Sequence, residues 1–305
     1  MTFPDYDPAV EAGKWFDSLT AVLTAPASPF WWPTLLAAGL GAVLFAWLAG
    51  IRLAELPRQL FPHSRAAMLR ELPVDIACFV AGSAVPFLLG PVIFLFSVAG
   101  ASVGVMVLLP LTGMPAQEGQ AAAPGPVMLA LAATAAFVAG DFMLYWTHRF
   151  FHRWPFLWRA HKLHHAPPVL TPLTAFRFWP QESLVHFSAS AFGQGFALGA
   201  CAAIAGVEVT PFSVLGVNAF TLAWNLAFSQ LRHSHVPLPF PRWLSYVLVS
   251  PHMHQVHHSI AVEHHDRNFG TALAVWDWLF GTLYLPRPDE RFAFGVTPPE
   301  SPDPT

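Results

Sequence analysis

The stretch DFMLYWTHRFFHRWPFLWRAHKLHH, from Asp141 to His165, closes an apolar segment and carries five histidines. His148 and His152 are four residues apart, so both imidazoles project from one face of a helix. The three later histidines have the spacing i, i+3, i+4, which again defines one helical face: His161, His164 and His165. An apolar helix that runs into two such faces predicts a helical membrane protein with a metal-binding region at the ends of its spans.

The rest of the chain is unusually apolar. Of its 305 residues, 54% are hydrophobic and 11% are charged, whereas about a quarter of residues are charged in soluble globular proteins. Five segments lack Asp, Glu, Lys and Arg and are long enough for the roughly 20 apolar residues of a spanning helix: Ser18–Ile51, Ile76–Gln117, Gly119–Gly140, Ser183–Val207 and Val209–Leu231. We therefore predict an all-α integral membrane helical bundle of about four to six spans. The net charge of -3 gives no electrostatic case for nucleic-acid binding, so the expected partner is lipid.

Positive charge predicts the orientation of these spans. Residues 52–72 carry four arginines, and such a loop is cytoplasmic by the positive-inside rule. The linker 113–125 contains no Lys or Arg and is expected outside, so the span Val127–Thr147 runs inward and delivers His148 to the cytoplasmic side. Residues 76–112 must then cross an odd number of times, and we expect one crossing plus a piece broken at PFLLGP and AGASVG.

The second half of the chain contains a further pair of apolar segments. Residues 183–206 and 211–231 are expected to form a helical hairpin that leaves and returns to one side of the membrane. The first of them includes GFALG, from Gly195 to Gly199. This small-xxx-small spacing suits close packing between membrane helices.

A third histidine cluster repeats the i, i+3, i+4 spacing later in the chain, at His254, His257 and His258. With the isolated His233, the three clusters present nine imidazoles beside the apolar spans. Neutral imidazole binds iron, zinc and copper and is a poor sole ligand for magnesium or calcium. Nine nitrogens exceed the needs of one ion, so we predict a cytosolic, histidine-rich cap that holds two metal ions.

Asp141 and Tyr145 share a helical face with the first cluster, because positions 141, 145, 148 and 152 follow the 0, 4, 7, 11 pattern. A carboxylate inside a span costs about 2.5 to 3.5 kcal/mol by insertion scales and marks a candidate functional residue. We expect Asp141 to accept a ring N–H from a metal-binding histidine, which would turn the other ring nitrogen toward the metal. The alternative is a structural carboxylate that is satisfied by a neighbouring helix.

Taken together, these motifs resemble one known family. The resemblance rests on DFMLYWTHRFFH, WRAHKLHHAP, RHSHVPLP, SPHMHQVHHS and DRNFGTALAVWDWLFGTLY, and over residues 126–286 it points to the fatty acid hydroxylase and sterol desaturase superfamily of membrane di-iron oxygenases. It implies a helical membrane bundle with a cytosolic di-iron site that uses O2 to hydroxylate or desaturate a C–H bond of a lipid, such as a sterol or a fatty acyl group. The implied metal ligands are His148, His152, His161, His164, His165, His233, His254, His257 and His258.

The same resemblance divides the chain into three parts. Residues 126–286 are the expected catalytic domain, residues 1–125 hold N-terminal membrane segments and the arginine-bearing loop, and residues 287–305 form a Pro-rich C-terminal tail. No segment resembles a fused cytochrome b5 or ferredoxin domain. Electrons are therefore expected from a separate electron-transfer protein of ferredoxin or cytochrome type.

Two positions depart from the family pattern. Many members read RFHPLE where this chain reads RFWPQE, so Trp179 replaces a histidine, and many read HSNV where this chain has His235. A transition-metal transporter, or a metal-binding membrane protein without oxygenase activity, is the alternative reading. Transporters hold ionisable ligands near the middle of the membrane, whereas these clusters follow spans and alternate with Arg and Lys, which favours the cytosolic cap.

Overall fold

The computed structural model describes residues 65–112, 124–206, 213–214, 217–224, 230–287 and 289–296, together with ten single positions between 32 and 54. Most of these residues are helical, as expected. The helices are α1 (Arg65–Thr112), α2 (Pro126–Arg153), α3 (Pro155–His165), α4 (Pro180–Ala205), α5 (Ala219–Trp224), α6 (Gln230–Arg232), α7 (Arg242–Ser245), α8 (Pro251–His257) and α9 (Val275–Leu279). Two 3₁₀ turns, Pro172–Phe176 and Val262–His264, complete the helical elements.

Three of these helices are long and apolar enough to cross a membrane: Ala66–Thr112, Pro126–Arg153 and Pro180–Ala205. The chain is therefore an integral membrane protein. The span expected near Phe30–Ile51 lies almost wholly outside the described residues. The described part of 211–231 differs from the single spanning helix we expected, because it contains an antiparallel pair of strands, β1 (Ser213–Val214) and β2 (Val217–Asn218), followed by the short α5.

Helix α1 is continuous over 48 residues. We expected a break at PFLLGP and AGASVG, and that prediction is wrong, because the helix passes through Pro73, Pro86, Pro91 and Pro110. Proline removes one intrahelical hydrogen bond, and neighbouring membrane helices can compensate for the loss. At about 1.5 Å per residue the helix is much longer than the roughly 30 Å hydrocarbon core, so only part of it can lie within one crossing.

Helices α1 and α4 pack through a seam of glycines. A Cβ atom added at any of four glycines would overlap a carbonyl oxygen of the opposite helix. The pairs are Gly100 with Phe192, Gly104 with Phe196, Gly195 with Ser97, and Gly199 with Ala101. GFALG in α4 therefore packs against GASVG in α1, and the small residues that suggested a break in α1 instead allow two backbones to approach closely.

The loop between α3 and α4 is fastened to α1 by a buried ion cluster. Arg177 donates to Glu71 at 2.8 Å and to Asp75 at 2.9 Å, and the hydroxyl of Thr171 donates to Asp75 at 3.3 Å. Thr171 also caps the 3₁₀ turn in a reciprocal arrangement with Thr174. The cluster thus fixes the turn whose Thr174 carbonyl faces the histidine region.

The chain bends sharply between the first two histidine clusters. Trp154 has an extended conformation, with φ -105° and ψ 119°, and Pro155 is the first residue of α3. A residue before proline is disfavoured in the α region, while proline suits the first helical position because its missing N–H has no intrahelical acceptor there. The Trp-Pro pair therefore ends α2 and starts α3, so that the two histidine faces can turn toward each other.

Short elements after α6 complete the histidine-rich region. Helix α8 begins at Pro251 behind Ser250, whose hydroxyl accepts from the Met253 N–H, a standard N-cap. Ser259 and Ile260 pair with residues 293 and 294. The described part of the segment that we assigned to a surface tail therefore packs against this region.

Candidate metal centre

Nine buried or half-buried histidines converge in two adjacent groups. In each group every histidine offers one ring nitrogen, and these nitrogens all lie within 4.8 Å of one another. The five-histidine group is His148, His152, His161, His165 and His257, and the four-histidine group is His164, His233, His254 and His258. The structure thus brings together the nine histidines that the sequence singled out, and it divides them between two positions.

The spacing of the ring nitrogens matches that of ligands around one ion. In the five-histidine group, His161 Nε2 lies 3.2 Å from both His148 Nε2 and His165 Nε2. In the four-histidine group, successive Nε2 atoms are 3.4, 3.0 and 3.2 Å apart along the series His164, His233, His254 and His258. An ion held at about 2.1 Å separates neighbouring ligand nitrogens by about 3.0 Å at right angles and about 3.4 Å in a tetrahedron.

The opposite ring nitrogens of several histidines are held by acceptors. Nδ1 of His148 donates to the Phe269 carbonyl at 2.8 Å, and Nδ1 of His257 donates to the Arg267 carbonyl at 2.9 Å. His164 Nδ1 lies 3.1 Å from the Thr174 carbonyl oxygen. Such bonds fix the tautomer in which Nε2 carries a lone pair toward the metal position.

Other ring nitrogens of the two groups are buried without a hydrogen-bond partner among the described residues. They include Nε2 of His152 and His257 in the five-histidine group. Buried polar atoms almost always have a partner, and a bound metal ion would satisfy these two nitrogens. The donor set and the orphaned nitrogens together fit a pair of metal ions of the type that imidazole prefers.

Electrostatics keep the rings neutral. Burial, followed by the charge of neighbouring histidines and Arg232, lowers the pKa well below its ordinary value for the histidines beyond the spanning helices: His161, His164, His165, His233, His254, His257 and His258. Neutral imidazole is the form that binds a metal. Burial also lowers the pKa of Arg232, to about 10, so this guanidinium stays charged beside the four-histidine group at neutral pH.

Asp141 and Tyr145 bind groups that lie far along the chain, and the partners of Asp141 differ from the histidine that we expected. The Asp141 carboxylate accepts the backbone N–H groups of Ala272 and Leu273 and the indole N–H of Trp276, at 2.9 to 3.0 Å. These bonds take the place of the expected bond to a histidine ring. The Tyr145 hydroxyl lies 3.0 Å from the Thr282 hydroxyl and accepts from Arg149 at 2.8 Å. Both side chains therefore join α2 to the segment that follows α8.

Two buried carboxylates support the centre and were missed in the sequence. Glu182 Oε1 lies 2.5 Å from His161 Nδ1. Asp277 accepts the N–H groups of Phe269 and Gly270 at 2.8 Å, and Phe269 carries the carbonyl that holds His148. Burial raises the pKa of Asp277 to about 6, against the opposing effect of these hydrogen bonds. Glu182 is the last residue of the RFWPQE motif. The one feature of the sequence that could have identified it is its position as an acidic residue at the start of an apolar helix.

The two departures from the family pattern lie outside both groups. Trp179 is 49% exposed and precedes the first residue of α4, so its indole does not replace a ligand. Nε2 of His235 accepts the Leu170 N–H at 3.2 Å. Neither group of candidate ligands includes His235 or the histidines at 252, 264 and 265.

A cavity of about 370 Å³ adjoins the five-histidine group. The candidate ligands in its wall are His152, His165 and His257, and the wall also includes Ser259 and Asp266. The two groups of histidines themselves touch, since the rings of His165 and His258 stack at 4.5 Å between centroids. A small molecule in the cavity would therefore lie directly beside the five-histidine position.

Comparisons with known proteins agree with this geometry. Residues 133–282 match the fatty acid hydroxylase family. The chain is 30% identical over 164 residues to alkylglycerol monooxygenase of Danio rerio. The matched region covers 54% of this chain and 32% of the relative. It is 29% identical over 164 residues to the ornithine lipid hydroxylase OlsE of Rhizobium tropici. This match covers 52% of the chain and 44% of the relative.

The chain spans about a third of the length of the first of these curated relatives and under half of the length of the second. No solved structure matches it. The family match begins within α2 and ends at Thr282, so it includes all nine clustered histidines, Glu182 and Asp277. Over residues 133–282, the chain is therefore similar to the fatty acid hydroxylase family.

Proposed function

We propose that the protein is a membrane-bound oxidoreductase that uses O2 to hydroxylate a C–H bond of a lipid. The observation that carries the proposal is the division of nine histidines into two adjacent groups with ligand-like spacing, within a fatty acid hydroxylase domain. A transporter would need its ligands near the middle of the spans. Here most of them lie in α3, α8 and the loops between the short helices, beyond the long apolar helices.

Two iron ions are the proposed cofactors. His148, His152, His161, His165 and His257 would hold one, and His164, His233, His254 and His258 the other. When bound, the iron pair supplies the electron transfer to O2 that breaking an unactivated C–H bond requires. The protein holds the rings neutral and oriented through the Phe269, Arg267 and Thr174 carbonyls and the Glu182 carboxylate.

Lipid is the proposed substrate class. The relatives are named for alkylglycerol and for ornithine lipid, both of which join apolar chains to a polar group. Hydroxylation is favoured over desaturation because these names denote a monooxygenase and a hydroxylase. Electrons are proposed to come from a separate ferredoxin- or cytochrome-type protein.

The metal centre is proposed to face the cytoplasm. Arg149, Arg153, Arg159 and Lys162 lie in or between the first two histidine clusters, and such residues favour the cytoplasmic side. A reporter fused after residue 170 should be cytoplasmic, and one fused after residue 120 should be outside. The reverse pattern would contradict this orientation.

The activity is tested by loading the purified protein with ferrous iron and measuring metal content together with lipid oxidation. We expect two irons per chain, and lipids that gain the mass of one oxygen atom in cells that express the protein. The control is a His161→Ala, His257→Ala double variant, which should stay in the membrane and lose the product. A double variant with full activity would refute the assignment of the centre.

A further inference from the structure

We infer that Ser259, His264 and Glu290 form a proton path into the cavity beside the five-histidine group. The inference rests on the proposed function, because hydroxylation consumes protons. In the reaction R–H + O2 + 2 electrons + 2 H⁺ → R–OH + H2O, the C–H and O–O bonds break and a C–O bond forms. The donor protein supplies the electrons, and one oxygen atom leaves as water with two protons.

The three side chains are in contact in series. His264 Nδ1 lies 2.9 Å from Ser259 Oγ, within hydrogen-bond distance. His264 Nε2 makes no hydrogen bond among the described residues, and Glu290 Oε1 lies 3.2 Å from it. The imidazole is 4% exposed and the Glu290 side chain is 14% exposed. A buried ring therefore lies between a carboxylate that reaches solvent and a hydroxyl in the interior.

Ser259, at the inner end of the proposed path, lies at the cavity beside the five-histidine group. Ser259 lines the cavity of about 370 Å³ whose wall also contains His152, His165 and His257. Ser259 directly follows the third histidine cluster, and its position is fixed by pairing with Phe294. In the proposed path, the Ser259 hydroxyl passes a proton to water in the cavity.

The surroundings hold the outer end in place. The Tyr284 hydroxyl donates to Glu290 Oε1 at 3.0 Å, and the Arg287 N–H donates to Glu290 Oε2 at 2.9 Å. The His264 ring contacts the rings of Tyr284 and Phe292. Charged groups near this end include Glu263, Arg287 and Arg291, and Asp289 is the neighbour of Glu290 in the sequence.

The metal-binding rings are poor sources of these protons. A ring nitrogen that binds a metal carries no proton. Asp266 also lines the cavity, but it pairs with Arg153 at 2.9 Å. His265 lines the cavity without a bond to Ser259 among the described residues, which makes it the natural comparison.

The test compares Ser259→Ala, His264→Gln and Glu290→Gln with Ser259→Thr, which keeps the hydroxyl, and with His265→Gln as the matched control. The readouts are iron per chain, melting temperature, lipid product formed per O2 consumed, and hydrogen peroxide released. We expect the first three variants to keep their iron and melting temperature, to lose product formation by about 100-fold, and to release peroxide. Ser259→Thr and His265→Gln should keep the coupling of O2 to product.

Several results would overturn the path. Wild-type coupling in Ser259→Ala, equal loss in Ser259→Thr, or loss in His265→Gln would each do so. Loss of iron together with turnover in His264→Gln would show that the contacts are structural. A wild-type protein that binds iron and consumes no O2 would refute the proposed function itself, whereas an active wild type with unaffected variants would refute the proton path alone.

Discussion

The Nδ1 atom of His161 lies 2.5 Å from Oε1 of Glu182, and the two side chains are 1% and 0% exposed. The carboxylate comes from the first turn of α4, whereas the imidazole comes from α3. This contact joins a spanning helix directly to the five-histidine group. It also orients the ring whose Nε2 lies 3.2 Å from those of two other histidines.

Glu182→Ala should therefore weaken iron binding. The ring of His161 would lose the acceptor that fixes its orientation, and loss of such a partner costs about 10- to 100-fold in metal affinity. The measurement is iron affinity of the purified protein by competition with a chelator. Gln181→Ala is the matched control, because Gln181 is the exposed neighbour on the same turn. Equal affinity in the two variants would contradict the role of Glu182.

Asp277→Asn should destabilise the loop that holds His148. The Asp277 carboxylate accepts hydrogen bonds from two backbone N–H groups and from the Thr282 hydroxyl. The NH2 group of an asparagine cannot accept, so at least one of these three donors would lose its partner. Leaving a buried donor unsatisfied costs about 1 to 3 kcal/mol. The free energy of unfolding in detergent measures this cost, and iron content should fall with it. An unchanged free energy would show that the loop is held by other contacts.

Gly195→Ala should separate α1 from α4. A Cβ at this position would overlap the Ser97 carbonyl oxygen, and overpacking of this kind costs about 1 to 3 kcal/mol. The melting temperature in detergent is the readout. Gly90→Ala in α1 is the control, since a Cβ at Gly90 meets no atom within 4 Å. A Gly195→Ala protein as stable as the Gly90→Ala protein would contradict the glycine seam.

Acid should destabilise the metal-free protein. Burial lowers the pKa well below its ordinary value for histidines such as His164 and His254, whereas the pKa of these rings in the unfolded chain is about 6.5. The unfolded state then binds more protons below that pH, so the stability present above about pH 6.5 is lost as the pH falls toward the folded-state pKa. The melting temperature of chelated protein should decrease from pH 7 to pH 5. A constant melting temperature over this range would contradict the burial of neutral rings.

Local sequence patterns predicted much of the protein because they act over a few residues. Apolar runs without charges predicted the spanning helices α2 and α4, and the i, i+3, i+4 spacings predicted the helical faces of α3 and α8. The same reading was wrong for α1, because a membrane helix can tolerate internal prolines and glycines. Gly100 and Gly104 have a close neighbour in α4.

The sequence by itself determined that this is a helical membrane protein and which nine histidines cluster, because composition and periodicity are properties of short segments. Only the tertiary structure decided how those histidines divide into groups of five and four, and that Glu182 rather than Asp141 reaches a ring. Asp141 contacts Leu273 across 132 positions of the chain. Which distant groups meet depends on the packing of the helices, and no local pattern carries that information.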